Sequence, residues 1–133
     1  MTGGVITTAP DDLMGIVRVI GTGVWTPAYV DAHFVELRAH IDAIRDRGDD
    51  VLVLVDLSGS DVQPAATAER IKANTDDLYR PGDRIAVVVG SCLAKMQMRR
   101  TVNPSFNEVF VSANAALTWL MAYRSLSRAP IAI

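Results

Sequence analysis

Val51-Leu52-Val53-Leu54-Val55, an uninterrupted apolar run between Asp50 and Asp56, identifies the fold class of this chain. A strand with one face in water alternates apolar and polar side chains, and this run has no polar position. Runs of β-branched residues and leucine are typical of parallel strands that helices cover on both faces. Because Ile85 to Val89 repeats the pattern, we predict an α/β sheet with both runs as buried strands.

Segments with helical periodicity lie between and around these runs. Thr26-Pro27 begins a first helix with a hydroxyl cap and a proline in the first turn, and Gly48 ends it. The further helices predicted are Pro64 to about Tyr79, a segment after Gly90-Ser91 that ends before Asn103-Pro104, and Ala113 to about Leu126. Apolar side chains at steps of three and four form the inner stripe of the first helix: Val30, Phe34, Leu37, Ile41 and Ile44.

Three shorter strands complete the predicted sheet. Gly3–Thr8 and Leu13–Gly21 form a hairpin through the turn Ala9–Asp12, and Glu108–Ser112 lies before the last helix. The order β-β-α-β-α-β-α-β-α predicts a single α/β domain over residues 3–126, built as a superhelix of βα units. Its sheet is mixed, mostly parallel and five-stranded, with an N-terminal β-hairpin and four helices, and residues 127–133 form an aperiodic tail. The side chains expected to be buried are Phe34, Ile41, Val53, Val55, Val87 and Leu120.

Composition excludes several classes of protein. Thirteen basic and fifteen acidic residues give a net charge of −2, which does not suit a generally basic nucleic-acid-binding chain. Cys92 is the single cysteine, so an internal disulfide framework is excluded and a reducing compartment is favoured. The longest uncharged stretch, Val109–Tyr123, is too short and too polar to span a bilayer. With no basic-then-apolar leader, we expect a cytoplasmic protein without a membrane span.

The candidate cofactor and metal motifs are incomplete. Gly21-Thr22-Gly23 lacks the third glycine of a dinucleotide-binding loop, so we interpret it as a strand end. His33 and His40 lie on the first helix with Glu36 between them, but zinc ligands on one helix need closer spacing. We therefore interpret the two histidines as a solvated helix flank.

The candidate nucleophile and phosphoacceptor are incomplete as well. Cys92 falls in the first turn of the third helix, but no histidine is placed to act as its base, so a small buried cysteine is expected. Asp56 follows a central strand, as the phosphorylated aspartate of receiver domains does. The acidic pair and the lysine that such a site requires are missing. The sequence thus predicts no enzyme, and no catalytic, cofactor-binding or metal-binding residues.

The third helix combines methionines with a basic edge. Its candidate binding face consists of Met96, Met98, Arg99 and Arg100. Methionine adapts to irregular surfaces and arginine pairs with carboxylates or phosphates, which favours a ligand or a partner. A core helix with a solvated side is the alternative, and the sequence leaves both interpretations open.

Two local patterns, together with the element order, resemble those of the STAS domain. Val51-Leu52-Val53-Leu54-Val55-Asp56-Leu57-Ser58 is similar to the third strand of that family and its exit. Val109-Phe110-Val111, followed by Ala115-Ala116-Leu117-Thr118-Trp119-Leu120, resembles the last strand and final helix of the SpoIIAA-like branch of stand-alone bacterial domains. The resemblance covers about Gly3 to Tyr123. It implies the fold of anti-sigma-factor antagonists and a non-enzymatic regulatory or protein-binding module.

Regulatory STAS domains carry Asp-Ser-Ser-Gly or Asp-Ser-Thr-Gly after the third strand, and a kinase partner phosphorylates the second hydroxyl residue. In register, the motif falls on Asp61-Val62-Gln63-Pro64, which keeps the aspartate but lacks both hydroxyls and the glycine. The resemblance therefore implies a partner-binding loop without the serine phospho-switch, formed by Ser58, Gly59, Ser60, Asp61 and Gln63. The wider fold is also similar to the lipid-carrying CRAL-TRIO domains. This similarity implies an alternative function, a carrier of an apolar ligand or lipid in a pocket beside the third helix.

A homodimer is also expected, because a half-apolar chain of this length has apolar side chains to spare. The candidates for the dimer patch are Trp25, Trp119 and the tail Pro130–Ile133. The expected partners are thus an unidentified protein, an apolar ligand and a second copy of the chain, and no nucleic acid.

Overall fold

Five strands and four helices make up the computed structural model, which describes residues 3–127. The strands are β1 (Val5–Asp11), β2 (Ile16–Gly23), β3 (Leu52–Ser60), β4 (Arg84–Val88) and β5 (Asn107–Phe110). The helices are α1 (Pro27–Asp46), α2 (Ala65–Leu78), α3 (Cys92–Arg99) and α4 (Ala113–Ser127). All five strands form one sheet in the order β1-β2-β3-β4-β5, in which β1 is antiparallel to β2 and the other neighbours are parallel. The predicted α/β architecture is confirmed.

β3 lies at the centre of the sheet, and both of its faces are covered. Val53 pairs with Val17 of β2 and Ile85 of β4, and its side chain belongs to a core beneath α1 and α2. Leu54 faces the opposite side and packs in a second core beneath α4. The second core contains Ile16, Leu52, Leu54, Ala86, Val88, Ala116 and Leu120. Two covered faces explain why the run 51–55 has no polar position.

α1 begins and ends as predicted. The Thr26 Oγ1 atom accepts a hydrogen bond from the Tyr29 amide at 3.2 Å, and Pro27 occupies the first turn, where no intrahelical N–H bond is required. Gly48 follows the helix with φ of +75°, in the left-handed region that favours glycine. The chain leaves α1 there and turns toward β3.

The hairpin turn differs from the prediction. The turn comprises residues 12–15, so Ala9 and Pro10 belong to β1. Pro10 is tolerated because β1 is an edge strand with one neighbour, where a missing N–H need not break the ladder. Asp11 fixes the turn instead, since its Oδ1 accepts a hydrogen bond from the Met14 amide at 3.0 Å and Gly15 supplies φ of +67°.

β3 also continues beyond Asp56, which the sequence analysis placed at the end of the strand. Pairing with β2 extends to Gly59 opposite Thr22 and Ser60 opposite Gly23. Between the Ile20–Asp56 and Thr22–Gly59 pairs, β3 contains one more residue than β2, which makes a bulge. Polar residues are tolerated in the second half of β3 because this half extends beyond the part of the sheet that the helices cover. Part of the predicted partner-binding loop is therefore strand, and the last strand, β5, is shorter than the predicted 108–112.

The buried side chains follow the prediction with two exceptions. Ile41, Val53, Val87 and Leu120 are buried. Phe34 and Val55 are only partly buried, because both line an internal cavity.

Trp25 is buried and is not a surface residue, contrary to the predicted dimer patch. A Cβ atom at Gly21 would lie 2.7 Å from Cζ2 of its ring, so the ring occupies space that only glycine leaves open. Trp119 is half-buried against Phe110, at a centroid distance of 5.7 Å. The third candidate, Pro130–Ile133, lies outside the described residues.

Candidate functional site

A cavity of about 560 Å³, partly open to solvent, lies between the sheet and helices α1, α2 and α3. Small-molecule sites in proteins typically measure roughly 300–1,000 Å³ and are mostly apolar. The floor of this cavity includes Val19, Val55, Val87 and Val89, and its walls include Val30, Phe34, Leu37, Ala68, Ile71, Ala94 and Met98. The cavity therefore has the size and the lining of a site for an apolar molecule.

Short side chains leave this space open. α2 contributes Ala68 and α3 contributes Ala94, whose side chains end at Cβ, and valines face them from the sheet. α1 packs along α2, whereas α3 packs on β5, so the cavity lies between the α1–α2 pair and α3. Protein interiors are normally filled to crystal-like density, and a space of this size is unusual for a structural core.

The cavity reaches from the carboxyl ends of the parallel strands to their amino ends. Its mouth is lined by residues 58 and 60–63, which follow or end β3, and by Gly90 and Ser91, which follow β4. Its inner end is lined by Tyr79, Ile85 and Asn107. In parallel sheets, ligands bind at the carboxyl ends of strands, where the mouth lies. The structure thus brings Ser58, Ser60, Asp61 and Gln63 of the predicted partner-binding loop to the edge of the cavity.

Gln63 fixes residues 58–63, which we call the rim segment. Its Oε1 atom accepts a hydrogen bond from the Trp25 amide at 2.8 Å. Its Nε2 atom donates to the carbonyl oxygens of Gly23 and Asp61, both at 2.9 Å. The bonds to Trp25 and Gly23 connect the rim segment to the end of β2 and the residues after it, and the bond to Asp61 lies within the segment. The Thr67 hydroxyl of α2 also donates to the Trp25 carbonyl, at 2.9 Å. These hydrogen bonds hold the rim segment in a defined conformation.

The other rim side chains divide between internal bonds and solvent. The Ser58 hydroxyl donates to Asp56 Oδ1 at 2.6 Å, and the Ser60 hydroxyl donates to the Leu57 carbonyl at 2.8 Å. Gly59 pairs with Thr22 in the sheet and does not line the cavity. Val62, which also lines the cavity, is 87% exposed. The rim segment therefore offers an apolar contact point to solvent.

The predicted face on α3 does not form one surface. Met98 points into the cavity, whereas Met96 is exposed. Arg99 forms an ion pair with Glu108 of β5 at 3.0 Å, and Arg100 is exposed beyond the helix. α3 has no fully buried residue, but Ala94 and Met98 pack against the core, which agrees with the alternative interpretation of a core helix with a solvated side. Of the four predicted residues, only Met98 belongs to the cavity site.

The histidine and cysteine candidates also lie in places that sequence reasoning did not foresee. His33 lines the cavity, its ring contacts Phe34 edge-on at 5.0 Å, and burial lowers its pKa, so it is not part of a solvated flank. His40 lies elsewhere, beside a more polar depression near the hairpin turn. Within residues 3–127, three or more metal-binding side chains do not converge at any point. Cys92 is exposed rather than buried, because the start of α3 faces solvent.

Tyr79 is the site residue that sequence reasoning missed. It follows α2, lines the inner end of the cavity and is 5% exposed. Burial raises its pKa, and the nearby Asp83 carboxylate raises it further, while Arg45 opposes this effect. Arg45 and Asp83 form an ion pair at 2.6 Å. The tyrosine hydroxyl is therefore protonated at neutral pH and available as a donor. A tyrosine at a helix end carries no pattern that would identify this role.

Comparison with known proteins identifies the fold. No family model matches the sequence, and no curated protein sequence matches it. Among solved structures, the chain is similar to an uncharacterized protein of the DUF3478 family with a SpoIIAA-like fold from Shewanella loihica PV-4. That match has a TM-score of 0.67 and 16% identity, and it covers 90% of this chain and 95% of the other. An anti-sigma factor antagonist from Mycobacterium paratuberculosis matches with a TM-score of 0.58 and 16% identity, over 89% of this chain and 94% of the other.

The chain combines an N-terminal hairpin with parallel βα units, and these matches identify its fold. It has the SpoIIAA-like fold, the fold of STAS domains, as the sequence resemblance implied. No helix among the described residues is both long and apolar enough to cross a membrane.

Proposed function

We propose that this chain is a non-enzymatic regulatory module of the STAS type, which binds a partner protein through its rim segment. The observation that carries the proposal is a rim segment held by the three hydrogen bonds of Gln63, with the neighbouring Val62 87% exposed. Exposed apolar side chains on a fixed backbone suit protein recognition, because little conformational entropy is lost on binding. The likeness to an anti-sigma factor antagonist supports the same class of function.

The proposed recognition is constitutive and does not depend on phosphorylation. A phospho-switch at this place needs a hydroxyl beside the free amides that begin α2. Val62 and Gln63 carry no hydroxyl, and Pro64, which precedes the helix, has no amide hydrogen. The hydroxyls of Ser58 and Ser60 already donate to Asp56 and to the Leu57 carbonyl, and a phosphate on Ser58 would face the Asp56 carboxylate. The partner surface is thus proposed to be present at all times.

The test is photo-crosslinking in the native host with a benzophenone amino acid at Val62. A matched control places the same amino acid at Val35, which is 72% exposed on α1. We expect a defined protein adduct from position 62 that position 35 does not give. Identical adducts from the two positions, or none from position 62, would contradict the proposal.

Phosphosite mapping of the same samples tests whether partner binding is independent of phosphorylation. Phosphate on Ser58 or Ser60 that controls adduct formation would overturn the constitutive mode.

A second candidate function is favoured by the cavity itself. An apolar space of about 560 Å³ fits a carrier or sensor of an apolar small molecule, and α3 forms one of its walls. The rim segment lines the mouth, so a bound molecule would contact the same residues that face the partner. Native mass spectrometry of freshly purified protein tests this function. A mass increment that organic extraction removes supports it, and a bare chain mass from several expression hosts counts against it.

A further inference from the structure

We propose that the inner end of the cavity recognises a neutral oxygen atom, a carbonyl or a hydroxyl, on an otherwise apolar ligand, and that the Tyr79 hydroxyl donates the hydrogen bond. The inference rests on the second candidate function and specifies the class of molecule that the cavity takes.

Tyr79 carries a buried donor that the protein itself leaves unused. The side chain is 5% exposed and lines the cavity. Its backbone amide donates to the Thr75 carbonyl at 3.0 Å, but in the described part of the chain no atom forms a hydrogen bond with its hydroxyl. Buried polar groups in native proteins are almost always bonded, and a hydroxyl that no protein group bonds takes a water molecule or a ligand as its partner. The cavity is the space beside Tyr79 that could hold such a partner.

Asn107 gives a second, independent indication at the same end. It is 9% exposed and lines the cavity at the start of β5. Its Nδ2 atom donates to the Asn103 carbonyl at 3.1 Å, whereas its Oδ1 atom accepts no hydrogen bond from residues 3–127. A donor on Tyr79 and an acceptor on Asn107 match the two roles of a ligand hydroxyl, and the donor alone matches a carbonyl.

The lining indicates that the ligand carries no charge inside the cavity. His33 is neutral at physiological pH, because burial lowers its pKa. Lys72 is bonded to Asp76 at 2.8 Å, and Asp61 lies at the rim. The charges near Tyr79 are those of Arg45 and Asp83, which are paired with each other at 2.6 Å. An ionised ligand group at the inner end would therefore lose its hydration without gaining an unpaired opposite charge, which is strongly unfavourable.

The volume limits the size of the ligand. A water-sized group occupies roughly 30 Å³, so about 560 Å³ corresponds to about 15 to 20 non-hydrogen atoms. The inferred ligand is therefore a medium-sized, neutral, largely apolar molecule with one oxygen at the end that occupies the inner end of the cavity.

Two fluorescent probes of this size test the inference. One is 6-propionyl-2-(dimethylamino)naphthalene, which is neutral and carries a carbonyl, and the other is its 6-propyl analogue, which lacks the oxygen. Each is titrated into the wild-type protein and into Tyr79→Phe. We expect the substitution to weaken binding of the carbonyl probe by about three- to tenfold, the usual effect of one neutral hydrogen bond. The propyl probe should bind both proteins alike.

A matched variant and a stability measurement complete the test. Tyr29→Phe also removes a tyrosine hydroxyl, one that accepts a hydrogen bond from the Ile6 amide at 2.9 Å and lies outside the cavity. It should leave the affinity for both probes unchanged. Ligand-free Tyr79→Phe should be at least as stable as the wild type, because its hydroxyl has no partner to lose. A clear loss of stability would show that the protein already satisfies the hydroxyl.

The outcomes separate this inference from the function on which it rests. If the wild type binds both probes and Tyr79→Phe weakens neither or weakens both equally, the cavity binds apolar molecules but Tyr79 does not recognise the oxygen. That result would overturn the inference alone. If the wild type binds neither probe, the proposed ligand class and the carrier function both fail.

Discussion

Enlarging Ala68 to leucine gives a direct test of whether the space beneath α2 is open. The side chain of Ala68 faces the cavity, and Leu adds three carbon atoms to it. At about 0.8 kcal/mol for each buried methylene, complete burial would add about 2.4 kcal/mol to the free energy of unfolding. The cavity has a mouth, so burial is incomplete, and we expect Ala68→Leu to stabilise the protein by about 0.5–2 kcal/mol.

Ala116→Leu is the matched control on the other side of the sheet. Ala116 also lies in a helix, but it is completely buried against Leu52 and Leu54. Alanine and leucine have similar helix propensities, so the two substitutions differ mainly in the space around them. In a filled core, added carbon atoms force neighbours apart and typically cost about 1–3 kcal/mol. The two variants are therefore expected to change stability in opposite directions.

Urea denaturation of both variants measures the difference, provided that their m-values equal that of the wild type. Ala68→Leu should also weaken the binding of the naphthalene probes, because it occupies part of their site. If Ala68→Leu destabilises the chain as much as Ala116→Leu does, the space is not open in solution and the cavity argument fails.

Three further expectations follow from the same site. Leu37→Ala should cost about 2–5 kcal/mol, while Phe34→Ala should cost less, since part of its ring already faces the cavity; urea titrations giving equal losses would contradict this. Because burial lowers the pKa of His33, its contribution to stability should be complete above pH 6.5 and should decline as the pH falls below it. A His33→Gln variant should lose that slope, and an unchanged slope would refute the assignment. Gln63→Ala removes the acceptor of the Trp25 amide and the donor to the Gly23 carbonyl, so hydrogen exchange at the Trp25 amide should accelerate, and unchanged exchange would show that Gln63 does not fix the rim segment.

The central strands could be predicted because the patterns that identify them lie within short, continuous stretches of the sequence. The runs 51–55 and 85–89 have no polar position, and each lies between helical segments of sufficient length for a crossover. The capping pair Thr26-Pro27 and the terminal Gly48 fixed the ends of α1 for the same reason. Errors arose where tertiary context tolerates a residue that local rules disfavour, as with Pro10 in an edge strand and Asp56 within β3.

The cavity could not be derived from periodicity. Ala68 and Ile71 have the spacing of a core-facing stripe, and that spacing is the same whether the opposite space is filled or open. Tyr79 and Asn107 line the same cavity because of how far β5 and the end of α2 lie from each other, a distance that no sequence pattern encodes. The rim segment was identified from a family resemblance, but the bonds of Gln63 that fix it appear only in the folded chain.

The placement of Pro10 bears on how copies of this protein can associate. An open sheet ends in two strands with free backbone groups, which other chains can extend into aggregates. On β1, Pro10 removes a donor from that edge. β5 has only four residues and lies beside α3, to which the Arg99–Glu108 ion pair connects it. Both margins are thus poor templates for strand addition, and a homodimer of this chain would use the faces of its helices or sheet rather than a continuous sheet across two copies.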